Sequence, residues 1–273
     1  MKTRIITAVV ALLILLPVLI FASFEIINIA GTSITVLKTA LALITAIAVF
    51  EASSCVKIIS PFLKYPTAVL SAFLILTTDN TFSSFTPVFI LLFFFLMFTG
   101  VIKNEKLTAD ILLSFFAFTF YVTVSFSTLL ILFEKSITLL FPCVFVGAWV
   151  TDTLAYFSGY FFGRHKLIPA VSPKKTVEGA VGGTLFCVIG FIIVGVINSL
   201  SAKSIIILAV IGLFASVVSQ LGDLSASLIK RHWSIKDYGK LFPGHGGILD
   251  RFDSILAVSV FLFLISLIGG NFQ

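Results

Sequence analysis

Charged side chains are scarce in this chain, and they concentrate where chemistry could use them. The stretch SLIKRHWSIKDYGKLFPGHGGILDRFDS, from Ser227 to Ser254, carries Lys230, Arg231, Lys236, Asp237, Lys240, His245, Asp250, Arg251 and Asp253. Almost pure hydrocarbon follows, from Ile255 to Ile268. An Asp or Arg at the centre of a membrane helix costs ~2.5–3.5 kcal/mol on insertion scales, so ionisable groups at such a border point to function by default. Asp250 and Asp253 stand three residues apart and share a helix face. Two carboxylates so placed repel unless a proton or a cation intervenes. Hard oxygen ligands suit Mg2+, which binds through one or two carboxylates plus substrate phosphates. The plainer account of the same pair is a helix start, where acidic residues meet the positive end of the dipole.

Four further groups have similar potential. Ser219, Asp223 and Ser227 recur every four residues and line one helical stripe, with Gln220 alongside. Interhelical hydrogen bonding accounts for Ser and Gln in membranes, but Asp223 needs a stronger partner and reads as a third metal-centre carboxylate. Asp152, Tyr156 and Tyr160 form another stripe. Asp152 is open to three roles: metal ligation, a substrate hydroxyl, or pairing with a basic residue such as Arg251. The segment Ser172-Pro-Lys174-Lys175-Thr176-Val-Glu178-Gly179 places two cations and two hydroxyls before a helix start, an arrangement suited to phosphate. A basic cytoplasmic loop with a Glu near a helix start explains part of that signal. In Gly244-His245-Gly246-Gly247 the glycines permit positive φ and close approach of backbone N–H groups to a ligand, although a tight re-entry turn has the same composition. Together the groups describe a polar pocket with three or four carboxylates for a divalent cation, lysines for phosphate, and hydrocarbon walls for a lipid tail. That is the equipment of phosphoryl or nucleotidyl transfer onto a lipid.

The elements that must position these groups are membrane helices. Of 273 residues, 59% are hydrophobic and 11% charged, against ~25% charged in soluble domains, and the mean hydropathy is +1.19. The apolar residues come in blocks of spanning length, without the short alternating segments of a membrane barrel. An all-α polytopic protein with about nine transmembrane helices is expected, at roughly 5–24, 32–50, 66–78, 83–102, 109–133, 137–162, 180–199, 204–229 and 250–268. The first reads as a spanning helix, with a cleaved signal peptide as the alternative. The third is short, but charge supports it. With all nine spans and the N-terminus inside, every Lys and Arg except Lys38, Lys135, Lys203 and Arg251 falls on the cytoplasmic side, as the positive-inside rule requires. The net charge of +6 then reflects loops facing anionic lipid head groups, and no nucleic-acid partner is expected. Cys55, Cys143 and Cys187 lack the spacing of a disulfide or zinc site. The whole of 1–273 reads as one membrane-embedded domain, with scaffold helices over 1–135 and site-bearing helices and cytoplasmic loops over 136–273.

The pattern Ser227-x-x-Lys230-Arg231, Lys236-Asp237-x-Gly239, Pro243-Gly-His245-Gly246-Gly247-x-x-Asp250-Arg251-x-Asp253 resembles the signature of the CDP-diacylglycerol synthase (phosphatidate cytidylyltransferase) family. Ser172 to Gly179, Asp152-x-x-Ala155-Tyr156-Phe157 and Gln220-x-Gly222-Asp223-Leu224 resemble it too. The resemblance covers roughly 148–254; Tyr160 departs from it, where a basic residue is expected. It implies transfer of CMP from CTP to phosphatidate, giving CDP-diacylglycerol and pyrophosphate, with Mg2+ and room for a second, monovalent cation. On that footing Asp223, Asp250 and Asp253 are metal candidates, with Asp152 a fourth among its three open roles. Lys230, Arg231, Lys236, Asp237, His245 and Arg251 are catalytic candidates. Ser172, Lys174, Lys175, Thr176, Glu178, Ser227, Gly246 and Gly247 are substrate-binding candidates. The expected partners are CTP, phosphatidate, membrane lipids and a second copy in a homodimer, and the expected location is a bacterial inner membrane with the site facing the cytoplasm. A cation-coupled transporter would leave the basic loops without a role. Prenyltransferases and CDP-alcohol phosphotransferases would show N-D-x-x-D-like or D-G-x-x-A-R patterns, and neither is present.

Overall fold

A computed structural model describes residues 13, 16–29, 32–55, 61–78, 85–102, 107–136, 138–244 and 246–268. Half of the expected first span, and His245, lie outside the described residues. Among the described residues seven helices are long and apolar enough to cross a membrane. They are α1 (Val36–Cys55), α3 (Phe85–Ile102), α4 (Ala109–Ser136), α5 (Leu140–Phe162), α6 (Val177–Ile197), α7 (Ala202–His232) and α8 (Leu249–Ile268). The segment expected as the third span, 66–78, falls on a shorter apolar helix, α2 (Pro61–Leu76), 16 residues that open on a proline and carry Pro66 inside; a proline at the first helical position gives up no hydrogen bond. Among the described residues the regular structure besides helices is two small antiparallel hairpins.

One hairpin moves an expected boundary. The second span, read as 32–50, begins at Val36 and runs to Cys55, because Thr32–Thr35 (β2) pairs with Glu25–Ile29 (β1). β-Branched threonines favour that extended backbone. Thr35 then accepts the Lys38 backbone N–H on its Oγ1 at 3.2 Å and starts the helix. Extending α1 to Cys55 brings Glu51 inside a membrane-length helix, where it is buried.

The chain resolves into two compact units, Met1–Leu130 with Ile235–Arg251, and Ile131–Ser234 with Phe252–Gln273. In the first, α1 packs on α2, with Phe50 stacked on Tyr65 at 5.4 Å between ring centroids. Helices α3 and α4 meet through aromatic edges, Phe89 on Phe120 at 4.9 Å and Phe93 on Phe116 at 5.5 Å. Such pairs add ~0.5–1.5 kcal/mol beyond area burial.

The second unit is built on small residues. In membranes, where apolar surface gains little from leaving lipid, helices associate by close packing at Gly and Ala. A Cβ on Gly179 would lie 2.6 Å from the Ala155 carbonyl oxygen, and one on Gly183 would lie 2.7 Å from that of Thr151. α6 therefore rides directly on the backbone of α5. At Gly147, a Cβ would meet Val258 at 2.9 Å, Ala215 at 3.6 Å and Phe191 at 3.7 Å, so four helices converge there. That glycine belongs to a π-helical turn, Val146–Val150, inside α5; such turns are frequent near functional sites, and Asp152 stands two residues beyond it. The second hairpin, β3 (Lys166–Ile168) and β4 (Ser172–Thr176), links α5 to α6. Because the blocking atom at Gly183 is a backbone carbonyl, Gly183→Ala should destabilise the protein by ~1–3 kcal/mol. A thermal melt in detergent should show a lower midpoint than for Leu185→Ala on the exposed face of the same helix.

Candidate functional site

In the second unit three helices each deliver one carboxylate to a common region. Asp152 lies in the first turn after the π-helical segment of α5, and its Oδ2 accepts the Ser254 hydroxyl of α8 at 2.8 Å. Asp223 of α7 pairs with Lys175, whose Nζ lies 2.7 Å from Oδ2. Asp253 of α8 lies within electrostatic reach of Asp223, Asp152 and Lys230, and its Oδ1 accepts the Ser254 backbone N–H at 2.9 Å. Gly222 makes the approach of α7 to α8 possible: a Cβ there would sit 2.5 Å from Ala257 Cβ and 3.3 Å from the Asp253 carbonyl oxygen. One turn before Asp223, Gln220 donates to Thr184 Oγ1 at 3.1 Å and Ser216 Oγ at 3.2 Å, tying α7 to α6.

Lys175 and Lys230 oppose these three acids. The Lys175 ammonium is itself fully enclosed; a buried ion pair is favourable only when the two charges truly offset each other's desolvation. Among the described residues no three acidic, His or Cys groups stand close enough to cage an ion unaided. That arrangement still fits Mg2+, which uses one or two carboxylates and takes its remaining ligands from water and phosphate. The donor set is all hard oxygen, and a cation, Lys175, already sits on one member.

Around Lys175 the local fold explains the rest of the basic motif. Thr176 caps α6, accepting the Gly179 N–H on Oγ1 at 3.1 Å, and is buried. Both Glu178 carboxylate oxygens accept the His165 backbone N–H, and Oε1 lies 2.7 Å from His165 Nδ1, which closes the base of the hairpin. Ser172 pairs with Ile168 across the ribbon, and Lys174 is exposed. Ser227 is half-buried one turn beyond Asp223, with Arg231 exposed at the end of the helix.

Asp250 has a different environment. It belongs to the first unit, where its Oδ2 accepts the Tyr238 N–H at 2.7 Å and the Gly247 N–H at 2.9 Å. The carboxylate thus latches the loop that precedes α8. Gly246, with φ +86°, lies against it, since a Cβ would come within 2.7 Å of Oδ2. Gly244 also has positive φ, +81°, and the Phe242 N–H donates to the Gly246 carbonyl at 2.9 Å. Lys236, Asp237 and Arg251 are exposed, and Gly247 is buried.

The residues that the motifs did not disclose are Glu51, Ser254 and His165. Glu51 had a signal, a lone acid inside an apolar block, hidden by ending that block at residue 50. Ser254 and His165 had none, because either could have faced solvent.

Fold and site together define an integral membrane protein whose helices enclose a carboxylate–lysine centre. The family model described as "Cytidylyltransferase family" matches residues 2–268. The chain belongs to that family of nucleotidyl-transferring enzymes. A Staphylococcus haemolyticus protein named phosphatidate cytidylyltransferase is 34% identical over 261 residues, covering 94% of this chain and 96% of that one. A protein of the same name from Staphylococcus epidermidis is 33% identical over 280 residues, covering 94% and 96%. A third of that name, from Bacillus subtilis, is 47% identical over 125 residues, an alignment that takes in 46% of this chain and 45% of that protein.

Thr176 and Lys175 can be separated experimentally. Thr176→Val removes only a cap, so it should cost ~0.5–2 kcal/mol of stability and leave most of the family activity. Lys175→Met strips Asp223 of its counter-charge and should lower the rate far more than the melting midpoint.

Proposed function

We propose that this chain transfers CMP from CTP to phosphatidate, giving CDP-diacylglycerol and pyrophosphate, with Mg2+ as cofactor, at the cytoplasmic face of a bacterial inner membrane. One observation carries the reading: Asp152, Asp223 and Asp253 come together from three helices with Lys175 and Lys230 beside them. The full-length relatives, each named phosphatidate cytidylyltransferase, support the choice of substrates. Nine spans with the N-terminus inside remain our reading of the topology. The basic hairpin at 164–176 and the basic segment at 230–240 each face the cytoplasm by the positive-inside rule.

In this reaction a phosphatidate oxygen attacks the α-phosphorus of CTP, and the bond from that phosphorus to the bridging oxygen of the β-phosphate breaks. The nucleophile is already an anion, so little is asked of a general base. The barrier lies in bringing two anions together in line, which makes charge neutralisation and positioning the dominant contributions. Lys175 and Lys230 neutralise phosphate charge, and Lys174 extends the positive surface along the hairpin. Asp223 and Asp253, with Asp152 alongside, would hold Mg2+, which when bound supplies Lewis-acid stabilisation of phosphate oxygens. Asp250, a metal candidate on its motif, also holds the signature loop, because its Oδ2 is engaged by two backbone N–H groups. For Lys236, Asp237, His245 and Arg251 the support is the motif they belong to. The apolar flanks of the helices accommodate the acyl chains.

Purified protein in detergent should release pyrophosphate from CTP only when phosphatidate and Mg2+ are both present; release that ignores phosphatidate would exclude a lipid acceptor. Asp223→Asn and Asp253→Asn should each reduce turnover by at least ~100-fold, the scale of losing one charge-stabilising group at a reacting centre, with membrane insertion intact. Full activity in either variant would remove that residue from the site.

A further inference from the structure

Glu51 is a carboxylate buried in α1, far in sequence from every motif, and it reaches the loop before α8. Its Oε2 accepts the Leu249 backbone N–H at 3.0 Å, and the Ile248 N–H also donates to the carboxylate. At Gly239 and at Gly247, the three atoms that an added Cβ would meet first all belong to the Glu51 side chain, and at each position the methyl would overlap the carboxyl group. Neither glycine has positive φ. Their lack of a side chain therefore serves no backbone conformation; it makes room for Glu51. The same loop is also latched by Asp250 and anchored by buried Tyr238, whose ring meets Phe118 edge-on at 6.4 Å.

We infer that Glu51 is a positioning residue for the reaction: its carboxylate, seated against Gly239 and Gly247 and bonded to the first N–H groups of α8, fixes the loop that carries Lys236, Asp237, Gly246 and Gly247. The first N–H groups of a helix have no partner within the helix, and an anion is favoured there by hydrogen bonding and by the dipole. Glu51 supplies that anion from another helix. A buried acid in a membrane-length helix is costly unless its hydrogen bonds are satisfied, and here the loop satisfies them. The side chain and the loop thus depend on each other. The consequence for turnover rests on the proposed function; the consequence for the loop does not.

The test uses the full chain in detergent, with three readouts for Glu51→Gln, Glu51→Ala, Gly239→Ala and the double variant Gly239→Ala/Glu51→Ala. Glu51→Gln keeps the shape and removes the charge. It should retain a cooperative thermal melt, be cut by trypsin after exposed Lys236 and Lys240 about tenfold faster, and lose roughly 10- to 100-fold in kcat/KM. Cleavage after Lys203, in the other unit, should not change. Gly239→Ala should cost roughly tenfold in the parent but under about twofold in the Glu51→Ala background, because the methyl then meets no carboxylate. Parental trypsin resistance and activity in Glu51→Gln would overturn the assignment. So would equal cost of Gly239→Ala in both backgrounds, or acceleration at Lys203 matching that at Lys236, which would make Glu51 a residue of general stability. If the parent fails to convert CTP and phosphatidate, the proposed function falls, while the cleavage pattern still decides the role of Glu51.

Discussion

Unneutralised charge cannot persist in hydrocarbon, and this chain brings acidic groups into helices of membrane-spanning length at several points. Each must find a partner that offsets its desolvation, and each partner found here is an element of the fold. Asp223 takes the Lys175 ammonium from the hairpin. Asp152 takes the Ser254 hydroxyl from a neighbouring helix. Glu51 takes backbone N–H groups at a helix start. The polar groups thereby organise the protein instead of merely occupying it, since moving any of these helices would strand a charge.

The close approach this demands comes from glycine and alanine. Gly222 lets α7 lie on α8 beside Asp253, and Gly179 and Gly183 let α6 lie on the backbone of α5. Helices that meet at side-chain length would hold their carboxylates too far apart to share a counter-charge. At backbone contact Asp253 senses Asp223, Asp152 and Lys230, while Lys175 pairs with Asp223. A region so constructed holds more carboxylates than lysines, an imbalance that the proposed Mg2+ would relieve.

Two acidic residues read at first as equivalent prove to have different environments. Asp250 and Asp253 are separated by less than a helical turn, yet the former secures its own loop through Tyr238 and Gly247 while the latter faces Asp152 and Asp223. Thr176 and Glu178 show the same division within the basic motif. Thr176 caps the start of a helix and Glu178 closes a hairpin, leaving Lys175 as the member that meets an acid of the cluster. Motifs of this kind mix groups that bind with groups that hold the binders in place, and spacing alone does not separate them.

Hydropathy and charge, which are sums over local residues, were enough to establish a helical membrane protein and most helix boundaries to within a few residues, while the family followed from the resemblance of the signature residues. The hairpin at 25–35 escaped that reading because strand pairing depends on a partner segment, and Glu51 escaped it because an apolar window ended one residue early. What the tertiary structure alone decided is the destination of each polar atom. Whether a carboxylate oxygen receives a backbone N–H, a hydroxyl or an ammonium depends on which backbones can approach, and that depends on glycines whose contacts lie far away in the chain. Gly239 and Gly247 are the clearest instance: in the sequence Gly247 reads as part of a tight turn and Gly239 only as a member of the signature, and in the fold both are the space that Glu51 fills.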